Sequence, residues 1–153
     1  MAAPAPGFAP FKGLLFFEEA YTDLFFGRET LTAHLADRVA SLSLDTSTRL
    51  LAVVGASGSG KSSLVRAGLV IALKHAGWVV HVFTPGSNPL RALEMQLDPN
   101  PSSTESDCVL ILVDQFEEMF TLCRVEPERV LFIEKLLSLS QEPSQKIIVV
   151  IAL

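Results

Sequence analysis

The feature that most constrains the fold of this chain is a glycine-rich octapeptide between an apolar run and a helical pattern. It has the form G-x-x-x-x-G-K-[ST], follows the run 49–54 and precedes the helical stretch 62–74. Its residues are Gly55, Ala56, Ser57, Gly58, Ser59, Gly60, Lys61 and Ser62. Glycines permit the backbone angles that turn successive N–H groups inward, and the helix that follows adds the positive end of its dipole. The octapeptide therefore predicts a phosphate-binding (Walker A) loop, with Lys61 reaching the β- and γ-phosphates.

Four apolar runs alternate with helical patterns along the sequence. The runs lack polar alternation, as strands do when both faces of their sheet are covered; they are 49–54, 78–83, 108–113 and 146–153. Helical spacing of apolar residues predicts helices over 29–40, 62–74, 90–97 and 127–139. Strands that alternate with helices form parallel sheets with right-handed crossovers. We therefore expect an α/β fold of three layers, in which helices flank a parallel sheet.

The sequence predicts a single nucleotide-binding domain over 11–153. Residues 1–10 are rich in Pro and Ala and are expected to form a flexible leader. The aromatic-rich segment 11–26 is expected to pack on the domain as an irregular strap, and the polar segment 98–107 reads as a surface loop. Because the sequence stops inside or at the end of the fourth core strand, we expect the domain to be truncated there.

Composition excludes several classes of function. Lys and Arg number 12 against 17 Asp and Glu, for a net charge of −5, and no cluster of basic residues offsets this balance, which argues against nucleic acid as a partner. The longest apolar stretch, 147–153, is far shorter than the roughly 18 to 20 residues of a membrane-spanning helix. Cys108 and Cys123 are neither closely spaced nor accompanied by a second pair, so the sequence supports neither a metal nor a disulfide framework. We expect a cytoplasmic protein with no membrane partner.

A second candidate site follows the third apolar run. Asp114 lies at the carboxyl edge of the predicted sheet, where ligands bind in open parallel sheets. Beside a phosphate loop, a role as Mg²⁺ ligand is favoured over a helix-capping role, with the Ser62 hydroxyl as a further ligand. Glu117 and Glu118 follow, and either can reach back to polarise an attacking water. Adjacent glutamates in a first helical turn also favour the helix dipole without any catalytic task.

Four segments of the sequence together resemble the novel STAND NTPases. This family is a branch of the signal-transduction ATPases with numerous domains and is related to NACHT and AAA-type P-loop proteins. The segments are FFGRE at 25–29, the phosphate loop with its continuation SLVRAGL at 63–69, PGSNPL at 85–90 and DQFEEMF at 114–120. The resemblance covers about 10–153, and the four segments together are far more specific than the phosphate loop alone.

The resemblance implies ATP with Mg²⁺ as the ligand and slow hydrolysis that acts as a conformational timer in signalling. It adds Ser63, next to the loop, to the nucleotide-binding residues, together with Gly27 and Arg28, which would contact the adenine. It favours Glu118, the last acid of a D-x-x-[DE]-E pattern, as the general base, with Glu117 supporting it. ATP rather than GTP rests on the resemblance, and the sequence contains no N-K-x-D motif.

Two departures from related proteins bear on function. Gln115 occupies the position after the metal aspartate where AAA proteins usually carry their catalytic glutamate, so the base must lie elsewhere or the activity is weak. Family members continue after the fourth strand with an arginine-bearing sensor segment and often with repeats. We expect protein partners to act through such parts and ATP binding to drive oligomerisation, while this stretch alone would bind ATP without the complete switch.

Three alternatives to an ATPase signalling module stay open. A small P-loop kinase shares the GSGKS sequence at 58–62, but only Arg124 and Arg129 are available for the arginine-rich lid that such kinases need. A transporter ATPase subunit would carry an L-S-G-G-Q-like signature before Asp114, and the sequence has none. An interaction scaffold that binds nucleotide without hydrolysis, or has lost binding altogether, is consistent with Gln115.

Overall fold

The computed structural model of the chain describes residues 28–44, 47–56, 58–97 and 108–153. The expected leader over 1–10, the expected strap over 11–26 and the expected loop over 98–107 lie outside the described residues. Gly27 and Ser57, two of the predicted nucleotide-binding residues, also lie outside them.

Four parallel strands form one sheet in the order β1-β4-β3-β2. Their bounds are Leu50–Val53 for β1, Val79–Phe83 for β2, Cys108–Val113 for β3 and Lys146–Ala152 for β4. In the register of the sheet, Leu51 of β1 pairs with Val150 of β4, and Ile111 of β3 pairs with Val149 of β4. The two central strands, β3 and β4, are the most deeply buried, as their unbroken apolar runs predict. The predicted parallel sheet is confirmed.

Helices cover both faces of the sheet. They are α1 (Glu29–Leu42), α2 (Lys61–Ser63), a π-helix (Leu64–Leu69), α3 (Val70–His75), α4 (Pro89–Gln96), α5 (Glu118–Leu122) and α6 (Glu126–Gln141). One core joins α1, the π-helix and α3 to one sheet face, and a second core joins α4, α5 and α6 to the other. Alternate residues of a strand point to opposite faces, so Leu110 belongs to the first core and Ile111 to the second. No helix of the described residues is long and apolar enough to cross a membrane.

The helix after the phosphate loop differs from the expected α-helix in its middle. Helix α2, the π-helix and α3 follow one another without a break from Lys61 to His75, and the six residues Leu64–Leu69 have the wider π-helical turn. Five of these six residues are buried, and Arg66 is the partly exposed one. An apolar run that is buried on most sides gives no periodic signal to distinguish the two kinds of turn. Short π-helical segments inside α-helices are rare and occur frequently at functional sites.

A buried arginine joins the elements at the amino-terminal edge of the sheet. Arg49, which is 4% exposed, directly precedes β1. Its Nε donates to the Ile147 carbonyl oxygen at 3.2 Å, and its Nη2 donates to the carbonyl oxygens of Gln145, at 2.9 Å, and Glu142. The Arg49 backbone N–H also donates to the Ser140 carbonyl oxygen at 3.0 Å. One side chain thus ties the start of β1 to the end of α6 and the start of β4.

Candidate functional site

The predicted phosphate loop connects β1 to α2 at the carboxyl-terminal edge of the sheet. Gly60, its last residue, has φ +84°, a left-handed conformation that glycine adopts without steric cost. A Cβ atom at Gly60 would lie 3.1 Å from the Arg28 guanidinium, closer than an ordinary van der Waals contact. The position therefore favours glycine for its backbone angle, and a side chain there would also displace the Arg28 guanidinium by a few tenths of an ångström.

Lys61 closes the loop upon itself. Its Nζ donates hydrogen bonds to the carbonyl oxygens of Gly55, at 2.7 Å, and Ala56, at 3.0 Å. A lysine ammonium has three N–H donors, so this arrangement leaves one donor for a ligand. The lysine thus holds the first two residues of the loop, and its positive charge lies beside their carbonyl oxygens.

Arg28 connects α1 to the same loop. It directly precedes α1, and its Nη2 donates to the Ser59 carbonyl oxygen at 2.7 Å. The two residues are 31 positions apart in the sequence, and the structure brings them into contact. Arg28, predicted to bind nucleotide from the family resemblance, therefore lies against the phosphate loop.

Asp114 lies directly after β3 and is 1% exposed. Its Oδ1 accepts hydrogen bonds at 2.9 Å from the Ser62 hydroxyl and from the Gln115 backbone N–H. Its Oδ2 accepts from Arg66 Nε at 2.7 Å, in an ion pair. Ser62 and Asp114, which the sequence suggested for one site from two distant segments, are thus joined by a direct hydrogen bond. Hydroxyl and carboxylate oxygens are the kind of ligand that Mg²⁺ takes in proteins.

The backbone after β3 is held by both neighbouring strands. The Asp114 N–H donates to the Phe83 carbonyl oxygen at the end of β2, and the Phe116 N–H donates to the Ala152 carbonyl oxygen at the end of β4, both at 2.9 Å. Between them Gln115 has φ +50°, the one positive φ of a residue other than glycine among the described residues. Strained backbone of this kind persists where its surroundings fix it, and it is frequent at ligand sites.

A comparison with protein families agrees with this geometry. The family described as Novel STAND NTPase 1 matches residues 10–153. The chain belongs to this family. The match confirms the resemblance that the four sequence segments indicate, and membership points to nucleotide binding in signalling. A search of curated proteins found none that matches the chain.

The two glutamates of this STAND NTPase stand at the beginning of α5. Glu118 is the first residue of the helix and is half-buried, whereas Glu117 precedes it and is exposed. The Glu118 N–H donates to the Gln115 carbonyl oxygen at 2.9 Å, so the turn after Asp114 fixes where the helix begins. In the described part of the chain, neither glutamate side chain forms a hydrogen bond with the phosphate loop. The structure therefore places both near the end of β3 without assigning either a partner.

Arg66 is the residue of the site that sequence reasoning missed as a functional group. A signal was present, because Arg66 is the single charged residue in the apolar helical stretch 64–70. A charge inside a buried segment needs a partner of opposite charge, and a buried carboxylate has the same need. In the described residues, the Asp114 site included, no group of three or more His, Cys, Asp or Glu side chains is arranged to hold a metal ion.

Proposed function

We propose that this STAND NTPase binds ATP with Mg²⁺ at the phosphate loop and hydrolyses it slowly as a signalling module. The observation that carries the proposal is the 2.9 Å hydrogen bond from the Ser62 hydroxyl to Asp114 Oδ1. Because Ser62 donates its proton to the carboxylate, the lone pairs of its oxygen stay available to a cation. The two side chains fit a magnesium ion that also contacts phosphate oxygens, which is how Mg²⁺ usually binds in nucleotide sites.

The phosphate groups would bind to the backbone N–H groups of the loop. The residues proposed for this role are Gly55, Ala56, Ser57, Gly58, Ser59, Gly60, Lys61, Ser62 and Ser63, with Gly27 and Arg28 on the side of the base. Lys61 would place its remaining N–H donor on the β- and γ-phosphates. The contact of Arg28 with the Ser59 carbonyl oxygen supports a role for α1 in closing the nucleotide site.

Hydrolysis would require a base that orients the attacking water. We assign this role to Glu118, with Glu117 supporting it, because both follow Asp114 at the start of α5. Magnesium would supply neutralisation of the charge that develops on the phosphate oxygens. Lys61 would stabilise the same charge from the loop. Gln115, in the usual place of the AAA glutamate, is the reason to expect slow turnover.

Nucleotide binding is tested by thermal unfolding with and without 1 mM Mg-ATP. Ligand at about 100 times its Kd adds about 2.7 kcal/mol to the free energy of unfolding, which raises Tm by several degrees. Lys61→Ala should abolish the rise, whereas Lys146→Ala, at an exposed lysine on β4, should retain it. The same measurement with GTP tests the preference for adenine. An unchanged Tm of the wild-type chain at millimolar ATP would contradict the proposal.

Hydrolysis is tested separately by phosphate release in a single turnover. Removal of a general base slows such a reaction by about 10² to 10⁴-fold, so Glu118→Gln should be slower than the native chain by at least about 10²-fold. Glu117→Gln is the matched control and should have the smaller effect. If the native chain binds ATP and both variants release phosphate at the same near-zero rate as the native chain, the alternative of a nucleotide-dependent scaffold is favoured.

A further inference from the structure

We infer that Arg66 is a positioning residue that makes metal binding depend on nucleotide. This inference rests on the proposed function, since it concerns the same magnesium site. Arg66 pairs with Asp114, the carboxylate assigned to the metal. In the absence of nucleotide, the arginine therefore offsets the negative charge that would attract a cation. A nucleotide triphosphate then supplies the missing negative charge, and the metal enters with it.

The charges of the described contacts support this assignment. Arg66 Nε lies 2.7 Å from Asp114 Oδ2, with side-chain exposures of 21% and 1%. Arg66 brings one positive charge to the carboxylate, and Ser62, the other side chain bound to it, is neutral. The Arg66 and Asp114 pair therefore has no net charge. Charges interact more strongly away from water, so Arg66 offsets part of the attraction that Asp114 has for a divalent cation.

The same ion pair fixes the orientation of the carboxylate. Arg66 holds Oδ2, while the Ser62 hydroxyl and the Gln115 N–H hold Oδ1. The arginine comes from the π-helix, whose other residues are buried in the core, so its backbone is anchored on the helical side of the sheet. A purely structural ion pair would serve only to attach this helix to the end of β3. If Arg66 also neutralises Asp114, removal of its charge should raise the affinity of the site for a divalent cation, which the loss of an attachment alone would not do.

The test measures the affinity of the nucleotide-free protein for Mn²⁺, which stands in for Mg²⁺. The electron paramagnetic resonance signal of free Mn²⁺ gives the bound fraction. Arg66→Gln keeps a hydrogen-bond donor for Asp114 but removes the charge, and it should bind Mn²⁺ on the order of tenfold more tightly than the wild type. Arg66→Lys keeps the charge and should bind Mn²⁺ like the wild type. Arg38→Gln, at an exposed arginine on α1, controls for the change in overall charge.

A second variant tests whether the gain passes through Asp114. Arg66→Gln combined with Asp114→Asn should lose the gain in Mn²⁺ affinity, because no carboxylate is left to be released from its counter-ion. A structural attachment would give no gain in either case. Circular dichroism and urea unfolding check that each variant is folded. If Arg66→Gln does not fold, Arg66→Met is used in its place.

Each outcome bears on one of the two proposals. A wild-type chain whose Tm does not respond to ATP overturns the proposed function. A wild-type chain that responds to ATP, but whose Mn²⁺ affinity without nucleotide equals that of Arg66→Gln, overturns the inference alone. If no neutral variant folds, the nucleotide-free wild type decides the question by itself, since tight Mn²⁺ binding in the absence of ATP would overturn the inference. Tighter Mn²⁺ binding by Arg66→Gln, lost in the double variant, supports it.

Discussion

Two arginines lie at opposite edges of the sheet and differ in the kind of group that they bind. At the amino-terminal edge, Arg49 donates to the backbone carbonyl oxygens of Glu142, Gln145 and Ile147. At the carboxyl-terminal edge, Arg66 pairs with the carboxylate of Asp114. Both arginines connect a strand end to a helical segment, and each pairing has a buried member, Arg49 itself in one and Asp114 in the other.

The difference lies in what the partner can do. The carbonyl oxygens that Arg49 holds belong to the end of α6, the following turn and the start of β4, so its contacts hold the fold together and we expect them to be the same with or without ligand. A carboxylate can be shared with a cation, so the contact of Arg66 can respond to what binds. In open parallel sheets ligands bind beyond the carboxyl ends of the strands, and the two arginines follow this division.

The largest expected effect is on stability, at the amino-terminal edge. Arg49→Met keeps the apolar stem but removes the donors of three carbonyl oxygens, and it should lower the free energy of unfolding by about 3 kcal/mol. Urea unfolding measures the loss. Arg38→Met, which changes an exposed arginine of α1, should stay within about 0.5 kcal/mol of the wild type.

The comparison also predicts what Arg49→Met leaves unchanged. The folded fraction should still respond to Mg-ATP like the wild type, because Arg49 lies at the edge opposite the phosphate loop. A loss below about 1 kcal/mol, or a lost response to ATP in protein that is still folded, would show that the two edges are not divided in this way.

The second prediction concerns the phosphate loop and uses two glycines of equal φ. Gly60 and Gly77 both have φ +84°, but only Gly60 has a neighbour, the Arg28 guanidinium, where a Cβ would be added. Alanine in the left-handed conformation costs about 1 to 2 kcal/mol, so both Gly60→Ala and Gly77→Ala should lower stability by roughly that amount. Only Gly60→Ala should also weaken ATP binding, since the loop and Arg28 must move apart.

Isothermal titration with Mg-ATP, alongside urea unfolding, separates the two effects. Equal ATP affinity in the two alanine variants would mean that the contact between Arg28 and the loop has no part in nucleotide binding. The loss of stability in Gly60→Ala would then be due to the backbone angle at this position, as in Gly77→Ala.

The elements that could be predicted from the sequence are those whose signal lies in neighbouring residues. The four strands appear as apolar runs without polar alternation, with His81 the one polar residue inside the second, and the loop from Gly55 to Ser62 is a contiguous motif between a strand and a helix. The helix over 126–141 has its apolar residues at helical spacing and extends two residues further at its carboxyl end than expected. The central strands β3 and β4 bury most of their apolar residues, so local pattern is sufficient for them. In α6 the helical pattern also includes Val130, Leu131 and Leu137, which are exposed.

The contacts that could not be predicted join residues far apart in the sequence. Arg66 and Asp114 are 48 residues apart, and Arg49 and Ile147 are 98 apart, so no local pattern pairs them. The π-helical turn depends on how the buried stretch 64–69 packs against α1, and the positive φ of Gln115 depends on hydrogen bonds to the two neighbouring strands. Sequence reasoning identified the carboxylate of the ion pair and missed its arginine, because Arg66 was read only as part of the continuation SLVRAGL at 63–69.

The third prediction tests the strain at the carboxyl-terminal edge. Gln115 has φ +50°, and asparagine tolerates this left-handed conformation better than glutamine does. Gln115→Asn should therefore raise the free energy of unfolding by about 0.5 kcal/mol, measured by urea unfolding. Gln96→Asn, at the end of α4, is the matched control and should give no gain, because that residue is already helical. A loss of stability in Gln115→Asn would mean that the glutamine side chain, and not the backbone angle, is what the site requires.

The smallest expected effect is a change of pKa at the amino-terminal edge. Hydrogen bonds from the Ser144 hydroxyl and backbone N–H lower the pKa of Glu142 below its ordinary value, and the charge of Arg49 contributes in the same direction. A lowered pKa in the folded state means that the ionised carboxylate stabilises the fold above the ordinary value of 4.5, and that this stabilisation is lost as the pH falls through the lower, folded pKa.

Ser144→Ala removes the hydroxyl donor and should move the pKa of Glu142 up towards its ordinary value, as followed by the carboxyl carbon signal in an NMR titration. Ser138→Ala, at an exposed serine of α6, should leave that pKa unchanged. The Tm response to Mg-ATP at neutral pH should be the same in both variants, because Glu142 is ionised there and lies at the edge away from the loop. A pKa of Glu142 that stays low in Ser144→Ala would assign the shift to the Ser144 backbone N–H and to the charge of Arg49. Arg49 would then stabilise the ionised Glu142 in addition to connecting the strand ends.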